Sequence, residues 1–84
     1  MQSAIEISTR DSMLTALSGV VRRRREQLHL SQEQLALRSG LHRTYISDIE
    51  RGARNLSIKN LHRLAESLEM RASQLIQCVE ESNA

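Results

Sequence analysis

Residues 31–52 read SQEQLALRSGLHRTYISDIERG, and this stretch decides the fold. Ser31 followed three residues later by Gln34 is the pattern of a capping box, in which each side chain satisfies the other residue's backbone N–H. Leu35 and Ala36 then supply an apolar side. Ser39-Gly40 ends the helix, because glycine takes the left-handed backbone that closes a helix without a Cβ penalty. A second helix follows at once, from about His42 to Arg51. Leu41, Ile46 and Ile49 give its apolar side, and Gly52 ends it. Two short helices therefore meet across a tight glycine turn.

Three more helical patterns flank this pair. The first runs from about Asp11 to Leu28, with Leu14, Leu17, Val21 and Leu28 at helical spacing and Asp11 or Ser12 as cap. Another runs from Ile58 to about Leu68, capped by Ser57, with Leu61, Leu64, Ala65 and Leu68 on one face. The last runs from about Ala72 to Glu81 and carries Leu75, Ile76 and Val79. Proline is absent and there are 3 glycines in 84 residues, so nothing punctuates a set of strands. The expected class is all-α, with five helices in one domain over residues 11–84. A weakly patterned, loosely ordered segment is expected at 1–10.

Other classes are excluded by what the chain lacks. Its 84 residues make one domain and leave no cleft between two. No apolar run approaches the roughly 20 residues of a membrane helix. The N-terminal MQSAIEISTR has no basic segment followed by an apolar one, so a cytoplasmic protein with no membrane partner is expected. The single cysteine, Cys78, excludes an internal disulfide and a thiolate zinc cluster, and reads as a small apolar residue near a helix end. His29, His42 and His62 are too scattered to ligate a metal. There is no glycine-rich phosphate loop and no nucleophile–base pattern, and Asp48 and Glu50, two apart on a helix, point in different directions. No metal, cofactor or catalysis is expected.

The charge balance points to nucleic acid through its composition, not its size. The net charge is only +2, but eleven arginines stand against one lysine. The planar guanidinium fork suits phosphate and guanine edges. Arg22–Arg25 point around the whole helical cylinder and read as a solvated face, from which one or two side chains approach DNA. Arg25, four residues after Val21, lies at the edge of the buried stripe. A core this small, without Phe or Trp, favours a homodimer.

Taken together, Ser31-Gln32, Leu35-Ala36, Gly40-Leu41, Ile46-Ser47, Ile49-Glu50 and Gly52 resemble the XRE-type helix-turn-helix family of phage repressors and Cro-like proteins. The resemblance covers about Val20 to Leu68. Residues 43–61, RTYISDIERGARNLSIKNL, are most similar to the controller proteins of restriction–modification systems. Arg43-Thr44-Tyr45 and Arg54-Asn55-Leu56 carry that match, as does a loop from Ala53 to Ser57 one residue longer than in some phage repressors. The resemblance implies a five-helix repressor-like DNA-binding domain. It implies a transcriptional regulator that binds double-stranded palindromic operators as a homodimer. Such a protein regulates its own promoter by blocking or recruiting RNA polymerase. An XRE-type antitoxin, which binds both operator DNA and a toxin protein, is the alternative.

In such a domain the N-terminal end of the second short helix faces base edges. Arg43 can make a bidentate contact to guanine O6 and N7, and Thr44 offers a hydroxyl or a methyl. His42 lies beside them. Asp48, four residues after Thr44, would accept from a cytosine amine, and Ser47, four after Arg43, would reach a base or a phosphate. Tyr45, the only aromatic residue, either packs its ring alone or also points its hydroxyl at a phosphate. Gln32 either binds phosphate at its helix N-terminus, as the matching glutamine does in the family, or simply caps that helix. Arg54 and Asn55 fall in the loop expected to follow the phosphate backbone. The resemblance also pairs Arg25 with Glu50, with phosphate contact as a further role for Arg25. Leu75, Ile76 and Val79 are expected to supply the dimer interface, unless the last helix folds back onto its own core.

Overall fold

Five helices follow one another in the computed structural model, which describes the backbone of residues 2–83 and the side chains of residues 12–83. They are α1 (Gln2–Gln27), α2 (Gln32–Ser39), α3 (Arg43–Glu50), α4 (Ile58–Ser67) and α5 (Ala72–Asn83). The loosely ordered segment expected at 1–10 and the Asp11 cap fall on residues whose side chains lie outside that description. The first helix starts at Gln2 instead of near Asp11; no proline or glycine precedes Gly19 to interrupt it.

The helix boundaries are set locally. Ser31 Oγ accepts from Gln34 N at 3.1 Å, and Gln34 Oε1 accepts from Ser31 N at 2.8 Å, which completes the capping box of α2. Gly40 closes α2 in the left-handed conformation, at φ 72°. His42 caps α3 through its ring, with Nδ1 accepting from Thr44 N at 3.2 Å. Ser57 Oγ caps α4 by accepting from Asn60 N at 3.1 Å.

The five apolar faces meet in one core. Leu17, Val20 and Val21 of α1 pack with Leu35, Ala36, Ile46, Ile49, Leu64, Ala65, Leu68, Leu75 and Val79. α1 lies against α3 and α5, while α2 lies against α3 and α4. This arrangement corrects the reading of α5. Leu75 is 0% exposed and Val79 3% exposed within the single chain, so both belong to the core, and only Ile76 remains outside, at 38%. The helical period explains the split: Leu75 and Val79, four apart, share a stripe, whereas Ile76 stands about 100° around from Leu75. Cys78 is half-buried against the same core.

The solvated face expected of Arg22–Arg25 holds for Arg22 and Arg23, which are exposed, but not for Arg24 and Arg25, which are half-buried. They point around the helix, as four consecutive helical residues must, and each finds a hydrogen-bond partner, Arg22 and Arg25 sharing Glu50. Arg22 Nη2 donates to the Glu50 carbonyl at 3.0 Å, Arg23 Nη2 to Ser82 Oγ at 3.2 Å, and Arg24 Nε to the Leu68 carbonyl at 2.9 Å. Arg25 donates to the Glu50 carboxylate and, at 2.8 Å, to the Leu30 carbonyl. The Glu50 and Leu68 carbonyls close α3 and α4, where backbone oxygens lack intrahelical partners and the helix dipole favours a cation. Arg22 and Arg24 therefore cap two other helices from α1.

The turn between α2 and α3 rests on Gly40. A Cβ there would meet nothing within 4 Å, so the only obstacle is the backbone conformation. Gly40→Ala is expected to lower unfolding stability by about 1–2 kcal/mol, the cost of a left-handed L-residue. Urea unfolding checks this.

Candidate nucleic-acid interface

α3 buries one side and presents the other. Ile46, Ile49 and Glu50 face the interior, whereas Arg43 and Thr44 are exposed and Ser47 is half-buried. The N-terminal end of the helix is thus free to meet a ligand while its C-terminal end is locked. His42 is exposed too, but its Nδ1 serves as the cap, which leaves Nε2 as its outward polar atom. Arg43 comes no nearer than 3.9 Å to the exposed Glu33 carboxylate, a surface pair of little strength.

The lock is built around Glu50. Its side chain is 1% exposed. Arg25 grips the carboxylate with two N–H groups, Nε at 2.6 Å and Nη2 at 2.9 Å, and Gln32 Nε2 donates at 3.2 Å. Arg22 Nε stands 3.5 Å away. Burial opposes the charge, but the hydrogen bonds from Arg25 and Gln32 and the nearby guanidinium charges win, and the carboxyl is held below its ordinary range. The hydrogen bond to Glu50 correspondingly raises the Arg25 pKa.

This geometry assigns several of the expected residues. Arg25 and Glu50 come together as a bidentate pair. Arg25 is 13% exposed, with three of its N–H groups in use, so its face toward solvent is small. Gln32 begins α2, but one of its amide N–H groups is on Glu50; the other is available. Tyr45 is half-buried. Its hydroxyl donates to the Asn55 carbonyl at 3.4 Å and accepts from Asn60 Nδ2 at 3.2 Å. The Arg54 guanidinium sits 4.8 Å above the Tyr45 ring, a cation–π contact.

Asp48 has a different setting from the one expected. Oδ1 accepts from Arg51 Nη2 and Oδ2 from Arg54 Nη2 at 3.1 Å, and the side chain is only 17% exposed. These two arginines hold the Asp48 carboxyl below its ordinary value, Arg51 contributing most, against a smaller opposing effect of burial. Each oxygen of the carboxylate thus already accepts one guanidinium N–H, so a cytosine amine would have to share it. The Asp48–Arg51 pair was legible from the i,i+3 rule for helices. Asn60, by contrast, carries no signal of its own in the sequence.

Among the described residues, no group of three or more His, Cys, Asp and Glu is placed to hold a metal ion. No helix there is long and apolar enough to cross a membrane.

Two short helices around Gly40, the second braced from behind and exposed in front, define a helix-turn-helix protein. Residues 21–75 match the helix-turn-helix family, and the chain belongs to it. Control protein C.BamHI of Bacillus amyloliquefaciens is 48% identical over 48 residues, covering 57% of this chain and 59% of that protein. Control protein C.SmaI of Serratia marcescens is 48% identical over 56 residues, 67% of each chain. The restriction–modification controller protein C.Esp1396I, solved as a tetramer in complex with its natural 35 base-pair operator, superposes with a TM-score of 0.76. It is 37% identical, and the match covers 84% of this chain and 93% of that one.

Removing Glu50 leaves Arg25 buried without its counter-charge, so Glu50→Ala is expected to lower stability by about 3–5 kcal/mol. Acid should act in the same direction. Because Glu50 and Asp48 are held below their ordinary values, the unfolded chain takes up their protons first as pH falls. The stability they supply is complete above about pH 5 and drains away through pH 4 and below, toward the lowered folded values. Urea midpoints measured from pH 7 to pH 3 should fall for the wild type and fall less steeply for Glu50→Gln.

Proposed function

We propose that this chain is a sequence-specific regulator of transcription, of the restriction–modification controller type. It binds palindromic operators as a homodimer and acts on its own promoter. The observation that carries this reading is α3: an exposed Arg43-Thr44 end on a helix whose opposite end is fixed by a buried ion pair. Specific readout requires such rigidity, since a bidentate contact to guanine tolerates little misalignment. The likeness to a controller protein solved on its operator supports the same reading.

In this reading Arg43 and Thr44 read base edges, flanked by His42 and Ser47. Arg54, Asn55, the second amide N–H of Gln32 and, once it exchanges the Asn55 carbonyl for the anion, the Tyr45 hydroxyl meet phosphates and set the register. A two-fold dimer places its recognition helices about 34 Å apart, one DNA turn, which is why the operator is palindromic. With Leu75 and Val79 inside the core, the interface falls to the outer side of α5, at Ile76. The position of the operator relative to the promoter then decides whether RNA polymerase is blocked or recruited. The protein works in the cytoplasm, where that DNA is.

Binding-site selection from random duplex DNA tests the reading. It is expected to enrich a palindrome with a guanine in each half-site. Arg43→Ala should weaken binding to that site by about 1–3 kcal/mol and relax the preference at that guanine, while leaving other positions unchanged. No enrichment at moderate salt would sink the reading, and an equal loss on every sequence would reduce Arg43 to a phosphate contact.

A further inference from the structure

Asp48 is a negative charge on the very element that is to meet a polyanion. It lies one helical turn from Thr44 on the same face of α3, close to Arg51 and Arg54. Both of its oxygens are occupied by those two guanidiniums. Its backbone carbonyl also receives Ala53 N at 2.9 Å and Arg51 N at 3.3 Å, so the residue ties the end of α3 to the loop behind it. Arg51 and Arg54 are themselves substantially exposed, at 66% and 46% of their side chains. Arg54 is held a second time by the Tyr45 ring, and Tyr45 is held in turn by Asn55 and Asn60. Two solvent-facing cations thus converge on one carboxylate, each through a terminal guanidinium nitrogen and each on a different oxygen.

We propose that Asp48 is an internal stand-in for a DNA phosphate: a positioning residue that presets Arg51 and Arg54 and restrains their charge until α3 is seated on its sequence. The inference rests on the DNA-binding reading of α3. On random DNA, affinity comes almost wholly from cations that release counterions, and two arginines already neutralised in part contribute little. On the right sequence, Arg43 and Thr44 seat the helix and bring a backbone phosphate to the loop. The phosphate then replaces the carboxylate at Arg51 and Arg54, which are already oriented. Asp48 in this role does not raise affinity. It raises the ratio of specific to non-specific binding.

The test is the salt dependence of binding to a random-sequence duplex and to the selected operator, for the wild type and three variants. Asp48→Asn and Asp48→Ser both remove the charge but differ in shape, while Asp48→Glu keeps the charge. Both neutral variants are expected to bind random DNA several-fold more tightly near 0.1 M salt, with a log–log salt slope steeper by about 0.9, the increment of one further phosphate contact. Their operator affinity should rise less, so the specificity ratio falls. Asp48→Glu should keep the wild-type slope. Thermal melts establish that each variant is folded; if one neutral variant fails to fold, the other supplies the slope. Unchanged slopes in a folded neutral variant overturn the proposal. So does a loss confined to one base pair, which marks a base reader, or a uniform loss on all DNA, which marks a plain scaffold. A wild-type protein that binds no duplex sinks the DNA-binding reading itself, whereas wild-type binding with unaltered variants sinks this inference alone.

Discussion

The buried pair of Arg25 and Glu50 is the constraint on which the rest of this small protein depends. Glu50 is the last residue of α3, Arg25 comes from α1, and Gln32 opens α2. One carboxylate therefore joins three helices at a single point. Burying two charges is expensive, and a well-packed apolar pair often gives equal or greater stability. What an apolar pair lacks is direction. The planar guanidinium fork fixes the carboxylate in distance and in plane, and with it the axis of the helix that carries Arg43 and Thr44. We read the pair as positional in purpose, with its stability contribution following from the geometry.

The arginines show why net charge is a poor guide here. A core without Phe or Trp offers limited apolar area, and the chain supplements it with charge-assisted hydrogen bonds between helices. Arg22, Arg24 and Arg25 are directed inward, onto carbonyls and the Glu50 carboxylate. Arg38 reaches the Ser67 carbonyl at 3.4 Å and the Glu69 carboxylate at 3.3 Å, near the end of α4. These residues hold the scaffold together. Around α3 and the loop after it, Arg43, Arg51 and Arg54 remain exposed. The arginine bias that points to nucleic acid is thus composed of two populations with different tasks, and only the fold separates them.

What the sequence disclosed was what is local. The capping box at Ser31 and Gln34, the Gly40 turn, the Ser57 cap and the apolar stripes of α2 to α4 all depend on residues within four positions of each other. The all-α class and the helix pair followed from these. The partners of Arg22–Arg25 did not, because they lie 28, 59, 44 and 25 residues away for Glu50, Ser82, Leu68 and Glu50 respectively. Arg25–Glu50 was legible only through a family resemblance. On α5 the four-residue spacing puts Leu75 and Val79 on one stripe without Ile76, a split that an interface made of all three overlooks, and periodicity names a buried stripe without saying whether it faces the chain's own core or another copy. The start of α1 at Gln2 is hard to read for a related reason: the apolar pattern ahead of Asp11 is weak, although no proline or glycine there breaks a helix.

α3 resolves a conflict that any reader of DNA faces. A helix must be held firmly to place its side chains, yet the side chains that read must be free of the scaffold. Eight residues suffice because the two demands are met on opposite sides and opposite ends. Ile46, Ile49 and Glu50 carry the attachment, and Arg43 and Thr44 have no contact that the core requires. Substitution of exposed residues of this kind usually changes stability by no more than about 0.5 kcal/mol. Residues 43 and 44 can therefore change while the fold stays as it is, and in the proposed reading the operator sequence would change with them. At 48 the same freedom does not hold, because Asp48 shares its face with Thr44 and its bonds with the loop.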